Sequence, residues 1–185
     1  LVNQLVEAMR LREHFFEPTA FANHWSEKDI ALITYGNTVQ RRGFKPLEEL
    51  REFLDSRLQE RLSIVHILPY FPWTSDDGFA VSDYNSVNPE LGDWSHIEEI
   101  SAKYRVMSDL VVNHCSASHE WFVQFQNGEE PGMNYFFQAE PEDDLTEVVR
   151  PRTSPLLMPT ETPSGTKHIW CTFGHDQVDL DFSKP

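Results

Sequence analysis

The sequence predicts an α/β fold in which a parallel sheet is covered by helices, and three observations predict it. Short runs that are apolar almost throughout occur at residues 30–35, 64–68 and 106–113. The intervals between them carry one-sided, amphipathic helical patterns. The alternation stops after His114, which limits how far that sheet extends. Strands apolar on both faces, separated by amphipathic helices, are the pattern of a parallel sheet buried under helices.

Each element follows from its own residues. Residues 1–16 set Leu1, Leu5, Val6, Met9 and Phe16 at helical spacing, outside the strand–helix alternation. The run 30–35 ends on Gly36-Asn37, a turn signal. Pro46 then opens a helix at a position where proline is tolerated, with Leu47, Leu50, Leu54 and Leu58 on one face. The second strand, 64–68, runs into a long loop at 70–94 rich in Asp, Ser, Gly and Pro. Residues 95–98, Ser-His-Ile-Glu, read as a capping box for the next helix, whose buried face is Ile97, Ile100 and Tyr104. The third strand is expected over 106–113, with Asp109 and Asn113 on the same side by alternation. Residues 115–163 are polar, proline-rich and acidic, and a short strand is expected late, at 168–173.

Composition narrows the function classes. The 185 residues carry a formal net charge of −15, which disfavours partners with phosphate backbones and anionic membrane surfaces. Neither nucleic acid nor membrane is therefore expected as a partner. The aromatic content, 12%, suits sugar-stacking surfaces and equally any core. Cys115 and Cys171 are too few for a disulfide framework and read as free thiols of a cytoplasmic protein. No apolar run approaches the ~20 residues that span a bilayer. The chain starts at Leu1 rather than Met, which fits an excerpt of a longer polypeptide.

Polar groups collect where the apolar runs end. Asn113-His114 closes the third run, and the loop after the second carries Ser75-Asp76-Asp77-Gly78-Phe79. If the strands are parallel neighbours, these groups face one cleft at their C-terminal ends, where α/β sheets bind ligands. Taken alone, Asp77-Gly78 is an ordinary turn pair and His114 an ordinary structural histidine. His114, Cys115 and His119 lack a fourth ligand, so no metal is expected.

The motif Asp109-Leu110-Val111-Val112-Asn113-His114 resembles the first signature region of the α-amylase superfamily, glycoside hydrolase family 13. Further stretches are similar to its sucrose phosphorylase subfamily: Ile33-Thr34-Tyr35, residues 66–71, Asp77-Gly78-Phe79 with Asp83-Tyr84, residues 91–94, Arg150-Pro151-Arg152, and residues 170–173 followed by 177–181. The resemblance covers roughly residues 30–185. It implies the N-terminal part of a (β/α)8 TIM barrel with a loop-rich B domain inserted after the third strand. The implied division is an N-terminal helical extension at 1–29, three βα units at 30–114, and the inserted domain at 115–185.

The resemblance also implies chemistry. The whole protein is expected to be a retaining α-glucosyl phosphorylase that cleaves a sucrose- or glucosylglycerate-like α-glucoside with inorganic phosphate to give glucose 1-phosphate. Asp77 and His114 are expected to hold glucose hydroxyls, Phe79 and Phe173 to serve as apolar platforms, and Gln177 to line the site. Arg152 is expected to meet phosphate, which a guanidinium fork suits. The nucleophilic Asp and acid/base Glu of the family match nothing in this chain and are expected beyond Pro185, so no catalytic residue is assigned here. The resemblance implies no cofactor and no metal, and leaves a homodimer open. A hydrolase or transglucosylase of the same superfamily, or a truncated sugar-binding protein without catalysis, is the alternative reading.

Overall fold

The computed structural model describes residues 2–8, 10, 12, 26–150 and 152–184. Three parallel strands, β1 (Ala31–Thr34), β2 (Ile64–Ile67) and β3 (Arg105–Ser108), pair in that order, with Leu32 beside Val65 and Val65 beside Val106. Helix α2 (Pro46–Phe53) connects the first two, and α3 (Trp94–Ser101) precedes the third. The first helix, α1 (Val2–Ala8), covers the start of the helix expected over 1–16. Part of that expectation lies outside the described residues.

Side-chain alternation decides which sheet face is buried. Leu32, Val65, Ile67 and Val106 point at the helices and pack with Leu47, Leu50, Leu54, Ile97 and Ile100. The leucine stripe of α2 continues through a π-helical turn, Leu54–Leu58, which keeps Leu54 on the buried side. Completely burying one such leucine contributes about 1.5–3 kcal/mol relative to exposure. The opposite face is open. Its middle row is Ile33, His66 and Met107, and Ile33 is 64% exposed. The expectation of strands buried on both faces therefore holds for one face only.

Two local expectations change. Helix α3 is capped by Asp93, not by Ser95: the Asp93 carboxylate accepts from the Ser95 amide at 2.9 Å, and His96 reaches back to the Asp93 amide in a reciprocal capping box. The third strand ends at Ser108, five residues short of Asn113. Beyond it Leu110 is 79% exposed, while the Asp109 carboxylate turns toward His66 Nε2 at 2.9 Å. Among the described residues no strand pairing runs over 109–112, and the Asn113 carbonyl accepts from the Leu180 amide at 2.9 Å in line with β4 and β7, so Asp109 and Asn113 do not share one strand face. The segment is instead held by Tyr84, whose hydroxyl lies 2.9 Å from the Val111 carbonyl and 3.0 Å from that of His114.

From His114 onward a second core forms. Strand β4 (His114–Ser116) pairs antiparallel with β7 (Gln177–Asp179), and β5 (Leu157–Thr162) forms a hairpin with β6 (Gly165–Trp170). Helix α4 (Glu120–Asn127) lies in the stretch read from sequence as polar loop. Its Phe122 and Phe125, three apart, face Phe136, Ile169 and Val178. Gly128 closes the helix in the left-handed conformation, a common C-terminal cap. The late strand, expected at 168–173, is placed at Gly165–Trp170. Cys115 and Cys171 are buried free thiols, and burial pushes each up to about 12.

The cap of α4 is a histidine. His119 Nδ1 accepts from the Trp121 amide at 3.1 Å, which requires an unprotonated Nδ1. Burial lowers its pKa below the usual 6.5. Because the folded value lies below the unfolded one, this contribution to stability is complete above about pH 6.5 and is lost as pH falls through the lowered value. His119→Ala should therefore cost about 1 kcal/mol at neutral pH and much less once the unmutated cap is protonated. Hydrogen exchange at the Trp121 amide, measured at pH 7.5 and pH 5, reads the cap directly. Equal exchange rates in both proteins at pH 7.5 would show that the cap contributes nothing.

Candidate functional site

Two separate parts of the chain meet at the C-terminal ends of β2 and β3. The pairing of β4 with β7 sets His114 opposite Asp179 and Ser116 opposite Gln177. The loop after β2 arrives from the other side, with the Ser116 amide on the Val81 carbonyl at 2.8 Å and the Thr74 and Ser116 hydroxyls 2.6 Å apart. The loop's Ser75–Gly78 turn then faces β7.

His114 is buried, and its Nε2 donates to the Phe79 carbonyl at 3.1 Å. That bond leaves Nδ1 as an acceptor, and Nδ1 is buried with no protein partner. Burial lowers the pKa of His114, partly offset by the nearby carboxylates of Asp179, Asp76 and Asp176. The ring is thus a neutral imidazole at pH 7 with one free acceptor nitrogen. Phe173 packs on it, ring centres 5.1 Å apart, and the Arg152 guanidinium sits 5.5 Å from the centre of the Phe173 ring. Gln177, almost fully buried, donates from Nε2 to Asp76 Oδ2 at 2.9 Å. Ser75 donates its hydroxyl proton to Asp176. Ser75, Asp76, Arg152, Phe173, Asp176 and Gln177 enclose a cavity of 240 Å³. Phe173 also borders a neighbouring cavity of 320 Å³ that includes Asn113, Thr172 and Asp179.

The loop carrying Phe173 is clamped from both sides. Arg150 donates to the carbonyls of Cys171 and Thr172 at 3.3 and 3.2 Å. Asp179 accepts from the Thr172 amide at 3.1 Å and its hydroxyl at 2.6 Å. Burial is the largest influence on Asp179 and raises its pKa above the usual carboxylate value despite these bonds.

His114, Phe173, Gln177 and Arg152 thus converge, and Phe79 joins them through its carbonyl. Asp77 does not converge. It lines a separate groove across the turn, with Tyr35 and Trp73. Asp76, rather than Asp77, bonds Gln177 and lines the cavity with Arg152. The reason is backbone geometry: Asp76, Asp77 and Gly78 all have positive φ, at 56°, 51° and 110°. Successive left-handed residues send neighbouring side chains in directions that alternation does not predict. Sequence reasoning also missed Asp176 and the clamp of Arg150 and Asp179. The signal available was the acidic spacing 176–179–181 beside Gln177.

A strained turn held at the C-terminal ends of parallel strands, facing a buried histidine and an arginine, defines a partial α/β barrel with a polar cleft. Residues 61–164 match the α-amylase catalytic-domain family, and the chain belongs to that family. The chain is 48% identical over 161 residues to the glucosylglycerate phosphorylase of Allomeiothermus silvanus, covering 87% of this chain and 29% of that protein. It is 33% identical over 167 residues to the sucrose phosphorylase of Agrobacterium vitis, covering 84% and 34% respectively. The crystal structure of sucrose 6F-phosphate phosphorylase from Thermoanaerobacter thermosaccharolyticum superposes with a TM-score of 0.76 at 26% identity, over 90% of this chain and 36% of that one. The chain therefore spans about a third or less of these relatives' length.

Gly78 is the hinge of the turn. A Cβ there would lie 2.6 Å from the Pro69 carbonyl oxygen, at a φ that side-chain-bearing residues rarely adopt. Gly78→Ala should cost about 1–3 kcal/mol or force the turn to move Asp76 off Gln177. Thermal unfolding checks the first outcome and the crystal structure of the variant the second. An unchanged Tm together with an intact Asp76–Gln177 bond would show that the turn has slack.

Proposed function

We propose that the whole polypeptide is a retaining α-glucoside phosphorylase acting on a glucosylglycerate-like donor, and that this chain supplies part of its donor subsite and a phosphate contact. The observation that carries the reading is one small cavity lined by the Asp76–Gln177 pair, Phe173 and the Arg152 guanidinium, with the His114 ring packed against Phe173. Carboxylate and amide groups suit sugar hydroxyls, and Arg152 suits an incoming phosphate. The identity to a glucosylglycerate phosphorylase, at 48% against 33% for a sucrose phosphorylase, favours the glycerate-type donor.

In this reading Asp76 accepts a hydrogen bond from a donor hydroxyl, and the buried His114 ring holds Phe173 in place beside it, so binding energy becomes positioning. Phe173 forms an apolar wall between sugar and Arg152. The nucleophilic Asp and the acid/base Glu, in this reading, come from parts of the whole polypeptide other than these 185 residues, which cover 29% of the glucosylglycerate phosphorylase of Allomeiothermus silvanus. On the same reading residues 30–114 hold the first three βα units and residues 115–185 the inserted domain, after an extension at 1–29; the separate apolar clusters of β1–β3 and of β4–β7 support the boundary between the last two. No described helix is long and apolar enough to cross a membrane. The free buried thiols support a cytoplasmic setting.

The test uses the full-length enzyme, with glucose 1-phosphate and free glucose measured as separate products. Asp76→Asn should lower kcat/KM for phosphorolysis by about 100-fold, the loss of one charged hydrogen bond of about 2–3 kcal/mol. Arg152→Ala should depress phosphorolysis far more than hydrolysis. Equal loss of both activities would remove phosphate from the role of Arg152, and full activity in Asp76→Asn would sink the donor subsite drawn here.

A further inference from the structure

We infer that a second ligand site lies on the opposite side of the Ser75–Gly78 turn and takes one neutral sugar ring. The groove there measures 230 Å³ and is bordered by Tyr35, Asn37, Trp73, Asp77, Asn88 and Glu90. It is smaller than the ~300–1,000 Å³ of pockets for drug-sized ligands, and so fits a single ring.

Three features point to a sugar. First, Trp73 is 38% exposed and Tyr35 37%, at the mouth of a groove that also contains polar side chains. An accessible indole offers a flat apolar surface for the C–H face of a pyranose, together with an N–H donor. Second, the polar groups are uncommitted. The carboxylates of Asp77 and Glu90, the amide of Asn37 and the hydroxyl of Tyr35 bond to no other described side chain or backbone group. By contrast, Asp76 is engaged by Gln177 and Asp176 by Ser75. The Asn88 carbonyl oxygen is taken by the Glu90 amide, which fixes that side chain and leaves its NH2 as a donor. Carboxylate acceptors, amide donors and an aromatic plate together match the alternating hydroxyls and C–H groups of a sugar.

Third, the charge is one-sided. Asp77 and Glu90 border the groove and no basic side chain does. A phosphate ester is repelled there, whereas the cavity across the turn holds Arg152 and admits an anion. A divalent cation does not fit either: among the described residues no three His, Cys, Asp or Glu side chains converge in a metal-binding geometry. The turn thus sends its two adjacent carboxylates to two different ligands, Asp76 to the cavity with the guanidinium and Asp77 to the groove with the indole.

The test is saturation-transfer NMR on the full-length protein with glucose and with glucose 1-phosphate. It starts from a background carrying Asp76→Asn and His114→Ala, which removes the first site. Glucose signal should persist in that background and fall about tenfold on adding either Trp73→Ala or Asp77→Asn, while glucose 1-phosphate gives none. In the otherwise unmutated enzyme, Trp73→Ala and Asp77→Asn should leave turnover within about twofold. Loss of all glucose signal in the background, signal unaffected by both groove variants, or glucose 1-phosphate signal that depends on Trp73 would each overturn the site. Full turnover in the background itself would instead refute the donor subsite, and leave the groove to be judged by its own variants.

Discussion

Everything at the cleft depends on a ladder of three residue pairs. The antiparallel pairing of β4 with β7 joins the segment just after the third parallel strand to one more than 60 residues later. Without it His114 and Gln177 have no common frame, and Phe173 has no ring beneath it. Closing a loop of that length costs entropy that grows only slowly with its size. The burial of Cys115, Val178, Phe122 and Ile169 in one cluster offsets that cost. The ladder is short, but its central pair, Cys115 and Val178, is completely buried, so water cannot compete for its hydrogen bonds.

Legibility in the sequence followed the physics of each segment. The strand–helix alternation was readable because one face of each strand and one face of each helix share a single core, and burial imposes a period. The end of the third strand was not readable. The apolar run 109–112 looks like a strand, but whether it pairs depends on a neighbour that periodicity cannot report. Helix α4 was missed although Phe122 and Phe125 stand three apart, because the surrounding composition is that of a loop. At the cleft, His114 and Gln177 could be placed from motifs that sit on strands. The choice between Asp76 and Asp77 could not, since adjacent acids differ only through φ, and no residue-type pattern reveals two consecutive left-handed residues that are not glycine.

The electrostatics of the cleft run against the sign of the chain. The net charge is −15, and three carboxylates, those of Asp179, Asp76 and Asp176, lie close enough to His114 to act on its charge. Arg150 and Arg152 come from one short segment and divide the work. Arg150 is consumed by two backbone carbonyls, and Arg152 lies over Phe173. A cation in so acidic a setting is a strong local landmark for any anion that reaches it, because the surrounding field repels that anion elsewhere.

The Tyr84 hydroxyl carries one proton but lies within hydrogen-bond distance of two carbonyls, those of Val111 and His114. Burial raises its pKa, so the proton stays on the oxygen. The two carbonyls must therefore share a single donor, and each holds it for only part of the time or at an angle. Replacing this tyrosine by phenylalanine is then not the removal of one bond: it releases both ends of the 111–114 segment at once, with the buried imidazole at its far end. Among aromatic residues only one with a hydroxyl at that reach can tie both ends, which makes position 84 a place where a nominally conservative exchange acts like a break in the chain's own scaffolding.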